Sequence, residues 1–133
     1  SFTSDIYRIA DMIRDQRDIK VIAVKDYITY PKASGYKSYH MIVSIPVYLS
    51  DRTVDTKVEV QIRTVAMDFW ASLEHKIHYK FEGDAPENIK NELVECARMV
   101  SDLDARMLSL NEEILAISKK REEEKQLNSG TSK

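Results

Sequence analysis

With only three glycines, three prolines and one cysteine in 133 residues, the chain has few loop punctuators and no means of cross-linking itself. A single cysteine excludes an intrachain disulfide and a cysteine-rich zinc site. On the helix expected around it, Cys96 reads as a small core hydrophobe. No apolar run approaches the roughly 18 residues that mark a membrane span. The first residues lack the basic start of a signal peptide, and Arg8, Asp11 and Arg14 interrupt the apolar positions that follow. These absences point to a cytoplasmic protein with no membrane partner. A formal net charge of -2 also excludes a general polyanion binder, which would be strongly basic.

What is present is enough for one core: 43% of the residues are hydrophobic and 32% charged, the balance of an ordinary globular domain. Thr3 or Ser4 offers a hydroxyl cap to a first helix whose stripe is Ile6, Ile9, Ala10 and Ile13. Residues 19–24 are rich in β-branched side chains and read as a strand. Residues 26–35, broken by Pro31 and Gly35, read as a loop. Residues 39–47 and 56–64 read as two further strands joined through 49–54. With Asp51 and Arg52 at the tip, His40 faces Arg63 and Ser44 faces Glu59. Whatever the register, Glu59, Gln61 and Arg63 leave one face of the last strand while Val58, Val60 and Ile62 leave the other, because side chains alternate.

Residues 65–79 carry Ala66, Phe69, Trp70, Leu73 and Ile77 at helical spacing, and Gly83 to Pro86 ends that helix. A long helix then runs to about Lys120. Ile89, Leu93, Cys96, Val100, Leu103, Met107, Leu110, Ile114 and Ile117 follow one another at alternating steps of four and three, which makes a seam for its own sheet or for an oligomer. Residues 121–133 offer no regular apolar spacing and are expected to fray or be disordered. The fold class is therefore α+β, with a mixed or antiparallel sheet, flanking helices and a long C-terminal helix.

Chemistry concentrates on two runs. Between Lys20 and His40 stand four lysines, Lys20, Lys25, Lys32 and Lys37, against the single acid Asp26, a balance suited to a few phosphates rather than a long nucleic-acid backbone. Tyr36 in that stretch is either a stacking platform for a base or a loop anchor. Glu59, flanked by valines, is either ion-paired or placed to hold a metal and draw a proton. His40 can donate to a phosphate or sugar oxygen, or pair with the facing strand. His75 and His78, three apart on a helix, lack a third metal ligand and read as a solvated pair. Phe69 and Trp70 read as core. Residues 32–37 do not have the glycine spacing of a Walker loop, so any grip on phosphate must come from side chains.

Four motifs in order carry a resemblance: Asp26-Tyr27-Ile28; Lys32 to His40 with its Gly-Tyr-x-Ser-x-His core; Glu59-Val60-Gln61-Ile62-Arg63-Thr64; and Met67-Asp68-Phe69-Trp70-Ala71-Ser72-Leu73-Glu74-His75. The chain resembles the synthetase domain of the RelA/SpoT family, and within it the small alarmone synthetases. The resemblance implies a nucleotidyltransferase-like domain over residues 1–120. Its implied reaction is pyrophosphoryl transfer from ATP to the ribose 3′ hydroxyl of GDP or GTP, yielding ppGpp or pppGpp in the stringent response.

By the same resemblance Tyr36 stacks on the acceptor guanine, and Lys32 and His40 contact the acceptor nucleotide with Lys25 as a phosphate neighbour. Glu59 is the catalytic acid that helps hold Mg²⁺, Gln61 holds the acceptor, and Glu74 approaches its base. Arg63 belongs to structure or to the phosphate neighbourhood. The family implies a homotetramer built through terminal helices, with a regulatory guanine nucleotide or single-stranded RNA as further partners. It also implies a basic ATP-holding segment and an Asp-bearing strand ahead of this region. Neither is in the sequence, so the chain is expected to be an acceptor-side portion, inactive by itself. The competing reading is a non-catalytic relative that binds guanine nucleotide or RNA and acts by association.

Overall fold

The computed structural model describes residues 2–131. In chain order it contains α1 (Thr3–Arg14), β1 (Lys20–Asp26), β2 (Tyr39–Tyr48), β3 (Thr53–Ile62), α2 (Val65–Lys80) and α3 (Glu87–Thr131). The strands form an antiparallel sheet in the order β1-β2-β3, so the α+β class is as expected. α1 opens at Phe2, whose amide donates to the Asp5 carboxylate at 3.0 Å. The cap thus lies one residue before the expected hydroxyls.

Alternation in the strands builds the main core. Tyr39, Met41 and Val43 leave one face of β2 and bury with Ile6 and Ala10 of α1 and Met67 of α2, with Val58, Val60 and Ile62 of β3 packed around them. The other face carries His40, Ile42 and Ser44 beside Gln61, Glu59 and Lys57, respectively. The hairpin turns at Ser50 and Asp51, since Leu49 N–H donates to the Arg52 carbonyl at 2.8 Å. The tip is one residue earlier than expected, so His40 pairs with Gln61 rather than Arg63, and Ile42 rather than Ser44 lies opposite Glu59. Parity is unchanged, which is why the two faces are as the alternation predicts.

α2 starts at Thr64, whose hydroxyl oxygen accepts the Met67 amide at 3.1 Å. Its inward residues are Met67, Trp70 and Ala71. Trp70 reaches α3, where its indole N–H donates to the Leu93 carbonyl at 2.9 Å. That anchor sets the rotation of the helix and turns Phe69 outward to 77% exposure, so Phe69 is not a core residue. Glu82 and Gly83, both with positive φ, end the segment.

α3 packs through Leu93, Ala97 and Val100 against Trp70 and Ala71. Cys96 is exposed rather than a core hydrophobe, because the inward line runs through its neighbour Ala97. Beyond Val100 the expected seam lies open among the described residues: Leu103, Met107, Leu110, Ile114 and Ile117 are 49–59% exposed. The helix also continues through Thr131 where a frayed tail was expected. Residues 119–126 are Lys, Arg, Glu and Gln, all strong helix formers. Missing apolar spacing removes tertiary packing from this stretch without opposing the helix itself. The last two residues of the expected tail lie outside the described residues. Among the described residues, no helix is long and apolar enough to cross a membrane.

Candidate functional site

The segment between β1 and β2 is folded by its own polar groups. Asp26 accepts hydrogen bonds from the Ile28 and Thr29 amides at 2.9 and 3.0 Å, from the Thr29 hydroxyl at 2.8 Å and from Tyr7 at 2.9 Å. Burial pushes its carboxyl up, but those bonds from Thr29, Tyr7 and Ile28 together hold it below its ordinary value. Further on, the Gly35 amide donates to the Lys32 carbonyl at 2.9 Å and the Lys32 amide to the Tyr36 carbonyl at 3.1 Å. This turn, with Gly35 at φ 96°, places Lys32 beside Tyr36. The Lys32 ammonium lies 4.9 Å from the Tyr27 ring centre and 5.2 Å from that of Tyr36.

The Tyr36 hydroxyl is the hub. It lies 3.1 Å from His40 Nε2, accepts from Ser38 at 3.1 Å and reaches Gln61 Oε1 at 3.5 Å. On the far side of the imidazole, His40 Nδ1 is 3.3 Å from Glu59 Oε1. The Gln61 amide donates to the same oxygen at 3.4 Å. Burial lowers the His40 pKa; the Glu59 charge and hydrogen bond oppose this, and Lys32 and Arg63 add to the lowering. A neutral ring fits the contacts. Nδ1–H donates to Glu59, and Nε2 accepts from the Tyr36 hydroxyl, an assignment drawn from the network.

Tyr36 and Lys32 also line a cavity of about 1000 Å³, with Arg63, Glu74, His75 and Lys90 among its other walls. The structure therefore joins Tyr36, His40, Gln61 and Glu59 through polar contacts, sets the Lys32 ammonium beside the Tyr36 ring and places Glu74 among the residues that line the cavity. His40, Gln61 and Glu59 stand outside the cavity wall, with Glu59 58% exposed on the open sheet face. Lys25 occupies the register position opposite His40, also outside the wall.

Arg63 has a larger part than the sequence indicates. Its guanidinium lies 5.8 Å from the Tyr36 ring centre, donates to Gln61 Oε1 at 2.9 Å and is 3.6 Å from the Asp68 carboxylate. Asp68 and the two histidines, His75 and His78, are cavity residues as well. The available signal was their shared place on α2 immediately after the strand that bears Glu59. Among the described residues, no three His, Cys, Asp or Glu side chains converge as a metal group.

Comparison with known proteins places the chain in a family. The family whose description is "Region found in RelA / SpoT proteins" matches residues 1–84. The chain belongs to the RelA/SpoT family. Among its relatives, the GTP pyrophosphokinase YwaC of Bacillus subtilis is 47% identical over 114 residues, covering 86% of this chain and 54% of that protein. The crystal structure of small alarmone synthetase 2 from Bacillus subtilis superposes with a TM-score of 0.83 at 48% identity, covering 85% of this chain and 61% of that one. Small alarmone synthetase 1 from the same organism, bound to its product pppGpp, gives 0.82 at 38% identity, covering 86% and 59%. The chain thus spans little more than half the length of these RelA/SpoT relatives.

Proposed function

We propose that this chain is the acceptor-side portion of a (p)ppGpp synthetase, working over residues 1–120. It binds GDP or GTP, and in the complete protein the acceptor's 3′ hydroxyl takes a pyrophosphoryl group from ATP, releasing AMP. The observation that carries this reading is the cluster in which Glu59, Gln61 and His40 are linked by polar contacts to Tyr36, which lines a cavity together with Lys32 and Arg63.

Tyr36 offers its ring to the guanine, with Glu74 of the same cavity for the base edge. Lys32 and Lys25 compensate phosphate charge, while His40 and Gln61 hold the ribose end near Glu59. Glu59 takes up the proton of the attacking hydroxyl. Transfer of this type depends on positioning and charge compensation more than on covalent chemistry by the protein. Mg²⁺ draws most of its ligands from water and substrate phosphates, so a single half-exposed carboxylate such as Glu59 suits it. When bound, the ion supplies charge compensation on the transferred phosphates. The open apolar line of α3 is the assembly surface of a homotetramer in this reading. A regulatory guanine nucleotide or single-stranded RNA would sit between subunits, and the protein would work in the cytoplasm.

The test is to incubate the complete protein with ATP, GDP and Mg²⁺ and to separate the nucleotides. AMP and ppGpp should form and should be lost in Glu59→Gln while GDP still binds. GDP binding with no product would favour the non-catalytic, association-based reading, and absence of binding to both GDP and GTP would end the synthetase reading and leave only RNA binding for the other.

A further inference from the structure

Three residues of α3 hold the two arms of the acceptor site. On the first arm, Gly35 lies against Ala97, and the Lys37 ammonium donates to the Ser101 hydroxyl. On the second, the Thr64 hydroxyl donates to the Asp104 carboxylate at 2.8 Å while still accepting the Met67 amide. Thr64 and Asp104 are 1% and 8% exposed, and forty positions separate them along the chain. Ala97, Ser101 and Asp104 are four and three residues apart, so they form one line on the helix.

Neither Ser101 nor Asp104 touches the cavity. Each fastens a neighbour of a residue that does. Lys37 adjoins Tyr36, and Thr64 adjoins Arg63 and starts the helix that carries Asp68 and Glu74. A carboxylate is expensive to bury without a partner, and here its partner is the hydroxyl at the end of the strand that bears Glu59 and Gln61. Core packing would be met by a small apolar residue at this point of α3.

We propose that Asp104 is a positioning residue for the acceptor nucleotide. Through Thr64 it fixes Arg63 and the first turn of α2 at a set distance from Tyr36, which the same helix holds through Ala97 and Ser101. This rests on the acceptor-site reading above. It adds that the width of that site is set by α3, the helix whose distal half carries the uncovered apolar line.

The experiment is titration of GDP into the intact protein by calorimetry, with unfolding and amide hydrogen exchange measured on the same samples. Asp104→Ala should raise the Kd about tenfold, the scale of one charge-assisted hydrogen bond, with an unchanged number of sites. Asp104→Asn keeps an oxygen acceptor and should stay within about threefold of the wild type. If Asp104→Ala does not fold, Asp104→Leu, which fills the volume without accepting a bond, takes its place. An unchanged Kd would overturn the proposal. So would fewer sites at the wild-type Kd, since that is the mark of lost folding alone. If the wild type binds neither GDP nor GTP, the acceptor reading itself has failed, and exchange decides the positioning claim separately. Asp104→Ala must then speed exchange at the Met67 amide and across 32–37 while α1 stays unchanged. Unaltered exchange at those amides overturns it.

Discussion

A methyl group placed on Gly35 would lie 2.5 Å from the Ala97 side chain, closer than packed carbon atoms approach, with the Trp70 ring a further wall at 3.5 Å. Gly35 also has φ 96°, a conformation that an L side chain resists. The glycine is therefore what allows the Tyr36 loop to rest on α3. Gly35→Ala should lower stability by about 1–3 kcal/mol, the cost of overpacking a tight site, as read by denaturant unfolding. Ala97→Gly in the same chain should recover part of the loss by opening space, and leave the part due to φ.

The ring of Tyr36 and its hydroxyl do separable work. Tyr36→Ala should weaken GDP binding by about 1–3 kcal/mol if a base stacks there. Tyr36→Phe should keep most of that affinity while freeing His40 and Ser38 from their shared partner. Calorimetric titration distinguishes the two. Wild-type affinity in Tyr36→Ala would remove the ring from the site.

His40 makes stability depend on pH in a stated direction. Its pKa in the folded chain lies below the unperturbed 6.5, so between those two values the unfolded chain binds more protons than the folded one. Stability then falls as pH is lowered through 6.5 and stops falling below the folded pKa. Unfolding midpoints measured between pH 7.5 and 5 should show this slope in the wild type and a smaller one in His40→Gln. An equal slope in the variant would assign the dependence to other groups.

Much of this was legible in the chain because strand alternation carries both core and site. Val58, Val60 and Ile62 could face inward only if Glu59 and Gln61 faced outward, and a hairpin tip misplaced by one residue left that parity intact. Helix rotation was less legible. Apolar residues at 69, 70 and 73 allow more than one inward line on α2, and the choice falls to a distant group, the Leu93 carbonyl that receives Trp70. The same holds for Cys96 and Ala97, where small size next to Gly35 outweighs hydrophobicity. Arg63 and Asp68 were hidden for a related reason: their significance lies in what the turn at Thr64 brings over Tyr36. The helical tail escaped because its stability comes from residue propensity, which carries no periodic signal.

The distal half of α3 supplies the last test. Leu110 and Ile114 are four residues apart on one face and more than half exposed, in a line that continues from Leu103 to Ile117. Apolar area held open on a helix at this spacing is the pattern of a helix-to-helix contact. Charges introduced there should separate copies while leaving each one folded. Leu110→Glu with Ile114→Glu is expected to reduce the mass seen by light scattering to that of a single copy. Since neither side chain is buried within the chain, stability measured under dissociating conditions should change by no more than about 0.5 kcal/mol per site. A wild type that is already a single copy at high concentration would show that this face does not assemble with itself. An unchanged multiple in the double variant would place the assembly contact elsewhere on the molecule.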